Sequence, residues 1–179
     1  MNESKFMATH LKDYRPSDYI IESVNLEFEL DADETVVRSQ LKIRANPQRS
    51  LVSTDIILDG EELELLDIKL DKTILEQSRY KINHSSLIIR DVPDYFTLDI
   101  TTRIQPSKNT ELQGLYISKG IFCTQCEAQG FRHITYFIDR PDIMARYTVT
   151  IIADKIKYPV LLSNGNVVQT VTWYGSAEK

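Results

Sequence analysis

The side chains able to do chemistry in this sequence crowd into one short stretch. Cys123 and Cys126 make a C-x-x-C, Gln125 and Glu127 interleave with them, and His133 follows. A C-x-x-C can be a redox dithiol or half of a structural zinc site. Structural zinc takes four ligands, and the chain has only these two cysteines. A redox pair belongs at a helix N-terminus, where the dipole lowers the thiol pKa. Here the pair follows the extended, apolar Ile121-Phe122. It therefore reads as two unconnected thiols on or near a strand, and a thiol-redox protein is the least supported class. Gln125 and Glu127 lie two apart, which on a strand turns both to one side. Spacing alone makes them a solvated polar pair on an outer sheet face.

Other catalytic patterns are missing. No two of His10, His84 and His133 lie four apart, so the sequence carries no H-E-x-x-H zinc helix. His133, in the strand-like run Phe131–Tyr136, reads as a packed or hydrogen-bonded histidine. There is no glycine-rich phosphate loop and no G-x-S-x-G elbow. No residue is assigned a catalytic role or a metal, and a self-sufficient hydrolase is not expected. Composition narrows the classes further. The chain has 179 residues, 42% of them hydrophobic, and a net charge of -5. That length can bury a sizeable core without disulfide or metal staples, and the acidic balance argues against a nucleic-acid partner. No run of about 18 apolar residues is present, so no membrane-spanning helix is expected. The N-terminus has no apolar h-region of a secretory signal. With two close cysteines, a reducing, cytoplasmic setting is the simplest expectation.

The elements that must position these residues read as strands. Residues 1–16 are a polar leader closed by Tyr14-Arg15-Pro16, and 17–179 form a single domain. Val24, Leu26, Phe28 and Leu30 alternate with Asn25, Glu27 and Glu29, the period of a half-buried strand. After a turn at 31–35, Val37, Leu41, Ile43 and Ala45 alternate with Arg38, Gln40, Lys42 and Arg44. An acidic outer row beside a basic one suits an antiparallel pair. Further strands are predicted at Ile56–Leu58, before Asp59-Gly60, then at Leu87–Val92, Phe96–Ile104, Tyr147–Ala153, Val160–Leu162 and Val167–Tyr174. Residues 61–77 could line a helix, but the alternation of Leu66, Ile68 and Leu70 favours two strands with a bulge near Leu65-Leu66 and a turn at Asp71-Lys72. At most a short helical turn is expected at 139–146, with Asp139 as its cap. Trp173 is a core or edge aromatic. The sum is an all-β protein, a β-sandwich or saddle of mostly antiparallel sheets. The segment Val167–Trp173 carries no charge and no proline, so as a last strand it would leave an edge open to self-association.

Residues 122–166 resemble the N-terminal domain of bacterial aminopeptidase N enzymes. The resemblance rests on Thr124-Gln125-Cys126-Glu127-Ala128, then Thr135-Tyr136-Phe137-Ile138-Asp139-Arg140-Pro141-Asp142, then Leu162-Ser163-Asn164-Gly165-Asn166, in that order. Tyr14-Arg15-Pro16 and Leu58-Asp59-Gly60 extend it to roughly residues 12–166. It implies a saddle-like β-domain that packs on a zinc-binding catalytic domain, and a peptide N-terminus as the ligand of the whole enzyme. It also implies that Glu127 binds the substrate's α-ammonium and that Gln125 lines the pocket for the first side chain. The Asp139–Asp142 block would shape the site's wall without touching substrate, with Arg140 paired to a carboxylate. Zinc would be the cofactor of the whole enzyme, with none held in this chain, which alone would be inactive. A free-standing β-sandwich binding module is the alternative class, and a neighbouring H-E-x-x-H reading frame would distinguish the two.

Overall fold

The structure, a computed structural model, describes residue 12, residues 14–49 and residues 54–172. It is built almost wholly of strands: β1 (Tyr19–Glu29), β2 (Thr35–Ala45), β3 (Ile56–Asp59), β4 (Glu64–Leu70), β5 (Thr73–Ile74), β6 (Tyr80–Ile82), β7 (Ser86–Ile89), β8 (Tyr95–Ile104), β9 (Gly114–Ser118), β10 (Ile121–Gln125) and β11 (Arg146–Ile152). They make a six-stranded sheet in the order β11-β1-β2-β8-β4-β5, a three-stranded sheet β3-β7-β6, and the hairpin β9-β10. Every pairing is antiparallel except β1 with β11. The all-β expectation holds.

Alternation builds the large sheet. Val24, Leu26 and Phe28 of β1, Val37, Leu41 and Ile43 of β2, and Phe96, Leu98 and Ile100 of β8 turn inward and are buried. They join Ile56, Leu58, Leu87 and Ile89 of the small sheet in one core. The opposite face is polar. Arg38 there reaches Glu27 and Glu29 at 2.9 and 3.1 Å, and Arg44 reaches Glu22 at 2.9 Å. These pairs are exposed and worth little each, but they match the charged rows read from the sequence.

Two bulges keep the inner faces apolar. The β2–β1 register shifts between Ile21 and Ser23. Tyr19 and Ile21 are thereby buried alongside Val24, although the numbers of the two sets differ in parity. The expected break in β4 is real as well: the β4–β8 register shifts between Leu65 and Asp67, which leaves Leu66 exposed while Ile68 is buried. Asp71 and Lys72, both at positive φ (49° and 68°), turn β4 into β5 as expected.

Three expected strand segments do not form among the described residues, and 139–146 takes less than the helical turn allowed there. Phe131–Tyr136 is no strand. Phe131–His133 is a 3-10 turn, and only Phe137 makes a bridge, to Asp59. Ile134, Thr135, Tyr136, Phe137 and Ile138 are buried in succession, so this run plugs the space between sheets, its backbone satisfied by a turn, by the Phe137–Asp59 bridge and by side chains. Thr102 Oγ1 donates to the Ile134 carbonyl at 3.0 Å, and the Ser39 and Thr135 hydroxyls lie 3.0 Å apart. Residues 139–146 hold no helix. A turn closes there through Ile143 N–H to the Arg140 carbonyl at 3.1 Å, and the Asp139 carboxylate is engaged elsewhere. Finally, 160–162 and 167–172 form no strand, and Val167 and Val168 are 80% and 96% exposed. Strand propensity without a neighbouring strand is not enough. The remainder of that predicted strand and Trp173 lie outside the described residues, as do residues 1–11 and 13 of the predicted leader.

Thr102→Val keeps the shape but strips the donor from the buried Ile134 carbonyl. It should cost about 1–3 kcal/mol, read as a lower denaturant midpoint at unchanged slope. An unchanged midpoint would show that the carbonyl finds another partner.

Candidate functional site

Gln125 ends β10, and the residues after it are held by tight local packing. The hairpin turns at Lys119-Gly120, and Gln125 stands opposite Gly114 at its base. The chain then doubles back: Gly130 N–H donates to the Cys126 carbonyl at 2.8 Å, and Gln125 Nε2 donates to the Glu127 carbonyl at 3.1 Å. A Cβ at Gly130 would stand 2.3 Å from the Gln125 carbonyl oxygen, so only glycine closes this turn. Gly114, at φ +70°, packs the hairpin base against His133, where a Cβ would stand 2.7 Å from the histidine's own. Gln125 and Glu127 are both exposed, and the Glu127–Ala128 peptide is cis. They do not share one strand face as spacing suggested, because Glu127 already lies in the turn.

Beneath this turn sits Arg132, only 15% exposed at its side chain. Its Nε and its own backbone N–H donate to Asp139 Oδ2 at 3.1 and 3.2 Å, and Nη2 donates to the Asp139 carbonyl at 3.2 Å. Glu61 lies 3.5 Å and Asp59 3.8 Å from the guanidinium. Asp59 Oδ2 in turn accepts from Asp139 N–H at 3.0 Å, and Glu61 N–H donates to the Arg132 carbonyl at 3.0 Å. Burial works to lower the Arg132 pKa, but the hydrogen bond to Asp139, the charges of Asp59 and Asp139, and Glu61 together raise it. The cluster joins residues 59–61, 131–133 and 137–139. Sequence reasoning missed it. The available signal was a guanidinium inside the apolar run Phe131–Phe137, which demands carboxylate partners.

The other singled-out residues fall around this hub. Cys126 is half-buried, and burial, with the Asp139 charge, pushes its thiol pKa up. That is the opposite of a redox nucleophile, and both cysteines are free. His133 is buried, 3.8 Å from carboxylate oxygens of both Glu61 and Glu62. It lines a cavity of about 360 Å³ together with Glu64, Arg103 and Lys108, and neither Gln125 nor Glu127 belongs to that lining. Phe131 packs edge-on against Phe137 and Tyr147, 4.9 and 6.1 Å away. Burial, with Asp139 and Cys126, pushes the Tyr147 phenol up to about 12. Arg140 pairs with Asp142 at 2.7 Å, as expected of that block, and donates to the Arg15 carbonyl at 2.7 Å. Tyr14 donates to Asp142 at 2.9 Å, so Tyr14-Arg15 is tied to the domain. Among the described residues no three His, Cys, Asp or Glu side chains converge to hold a metal ion. Zinc therefore has no fitting ligand set among them.

Arg132→Met should cost about 3–5 kcal/mol near neutral pH, because it strands Asp139 among other carboxylates. Arg132→Lys should recover only part of this, since an ammonium lacks the planar fork that serves Asp139 and Asp59 together. Denaturant titration of the three proteins checks both, and equal stability of the lysine protein and wild type would show that charge alone suffices.

Comparison with known proteins assigns the domain. The model of the peptidase M1 N-terminal domain matches residues 15–176. The chain is 45% identical over 161 residues to the aminopeptidase N of Escherichia coli (strain K12), and equally to that of Caulobacter vibrioides. Each match covers 90% of this chain but 18% of the relative, so the chain spans under a fifth of their length. Among solved structures, Legionella pneumophila aminopeptidase A in complex with aspartic acid superposes with a TM-score of 0.83 at 34% identity, over 90% of this chain and 19% of that one. An M1 zinc metallopeptidase from Deinococcus radiodurans, at 15% identity and a TM-score of 0.62 over 76% of this chain and 32% of that one, shares the fold. On the strength of the family match and these identities, the chain belongs to the peptidase M1 N-terminal domain family.

Proposed function

We propose that this domain serves a zinc aminopeptidase by receiving the N-terminus of the peptide substrate, with Glu127 binding the α-ammonium and Gln125 bordering the first side chain. One observation carries the reading. Glu127 is exposed and makes no ion pair among the described residues, yet its backbone is fixed from both sides by the Gln125 amide and the Gly130 turn. A carboxylate on a rigid mount, free to take a cation, is what recognition of an ammonium requires. Such a contact separates removal of single N-terminal residues from cleavage within a chain. Zinc supplies the Lewis acid for hydrolysis and belongs, in this reading, to a catalytic domain that the relatives carry in the part this chain does not match. That domain is the domain's principal partner. A cytoplasmic location is part of the same proposal, supported by two cysteines that stay unbridged.

In an aminopeptidase carrying this domain, Glu127→Ala should lower kcat/KM by about 2–4 kcal/mol and weaken amine-bearing inhibitors in parallel. The melting temperature should not move, because the side chain is exposed. Normal kinetics with a lowered melting temperature would make Glu127 a structural residue and overturn the assignment.

A further inference from the structure

His133 stands between two acids that are neighbours in sequence. Its side chain is only 8% exposed, and the hairpin base closes over it at Gly114. Nε2 faces Glu61 Oε2 and Nδ1 faces Glu62 Oε2, each at 3.8 Å. In an extended chain, residues 61 and 62 would point to opposite sides. Glu62 instead sits at φ +56°, an uncommon conformation for a residue with a Cβ, and both carboxylates reach the one ring. The segment that carries them is seated at its backbone. Glu61 N–H donates to the Arg132 carbonyl at 3.0 Å and Gly60 N–H to the Ser85 carbonyl at 3.1 Å. A carboxylate only accepts hydrogen bonds, and a neutral imidazole has one N–H. Whichever tautomer forms, its other nitrogen turns a lone pair toward a carboxylate. The imidazolium alone can donate on both sides. Other charges near the ring are already engaged. Arg132 lies 3.5 Å from Glu61 and is held by Asp139. In the cavity that His133 lines, Arg103 pairs with Glu64 at 3.4 Å, and Lys108 donates to the Gln105 side chain at 3.2 Å.

We infer that His133 is an acid-operated clamp: on taking a second proton, its ring donates to Glu61 and Glu62 at once and draws the segment 60–63 onto the 3-10 turn Phe131–His133. At 3.8 Å both contacts are longer than hydrogen bonds. The glutamate side chains are 36% and 64% exposed, so they can close the gap without moving the backbone. The clamp joins the same two stretches as Arg132. The guanidinium stays charged at every working pH, whereas a histidine changes charge within the physiological range. A proton that the folded seam holds better than the unfolded chain does stabilises the seam in acid, and that contribution fades as pH rises.

Denaturant titration of the 179-residue chain between about pH 8 and about pH 5.5 spans the range in which histidine changes charge. Carboxylates also move stability with pH, so the readout is the difference between wild type and His133→Gln, which cannot take a proton. Going from the higher to the lower pH, the folded-to-unfolded ratio of wild type should rise about fivefold relative to that of the variant. In an E61Q/E62Q background the same comparison should give no pH-dependent difference. Proton NMR of wild type supplies a reading that needs no variant to fold. The Glu61 and Glu62 amide signals should shift along the same pH curve as the His133 ring, and the exposed His84 ring should titrate without that link. Glu61 and Glu62 amides that ignore the His133 titration would overturn the inference. So would a difference from His133→Gln that is constant or shrinks in acid, or a gain in acid that survives in E61Q/E62Q.

Discussion

Arg132 brings a guanidinium into a seam where three separate segments of the chain meet, and the rest of the site depends on how that charge is matched. A cation held largely away from water must find carboxylates at hydrogen-bonding range or cost several kcal/mol. Asp139 answers it with a side-chain oxygen and a carbonyl, while Asp59 and Glu61 complete the ring. Because Asp59 ends β3 and Asp139 follows the buried run 134–138, satisfying one charge fixes the small sheet, the plug between sheets and the turn under the hairpin relative to each other. The fork geometry of arginine suits this task, since it can address two acceptors at once.

The hub explains how the exposed segment around Glu127 is held. Glu127 and Ala128 are exposed, but Gly130 closes the loop onto the half-buried Cys126, and the next residues enter the 3-10 turn that carries Arg132. Gly114 brings the hairpin base against the same turn. The mount is thus anchored from below while its outer face stays open. The Arg140–Asp142 pair does a related job at the rim. Burial would raise the Asp142 carboxyl pKa, but hydrogen bonds from Arg140 and Tyr14 outweigh it and bring the pKa below its ordinary value. Its contribution to stability is therefore present above the usual carboxylate range and is lost as pH falls through the depressed value.

The centre of the large sheet was legible because β1, β2 and β8 each keep one apolar face, and alternation reports this directly: the rows Val24–Phe28, Val37–Ile43 and Phe96–Ile100 are the core. The bulge at Leu66 was also legible, because a parity break is a pattern in its own right. The run 134–138 was not, since burial on all sides produces the same apolar sequence whether the backbone is a strand or a plug. Val167 and Val168 misled for a different reason. Their propensity is real, but a strand needs a neighbour, and propensity does not report one. At the site, the resemblance singled out Gln125 and Glu127, while the support beneath them was hidden. Asp59 and Glu61 come from one stretch of the sequence and Arg132 and Asp139 from another far along it, and charge pairing between the two leaves no local period.

Amide hydrogen exchange at Gly130 tests the central claim, that Arg132 holds the Cys126–Gly130 turn in place. Its N–H is bonded to the Cys126 carbonyl and reports the closed turn. If the account is right, Gly130 is protected in wild type and loses about tenfold or more of that protection in Arg132→Met, while amides in the β2–β8 ladder lose much less. Equal protection of Gly130 in the two proteins, or an equal loss everywhere, would contradict it.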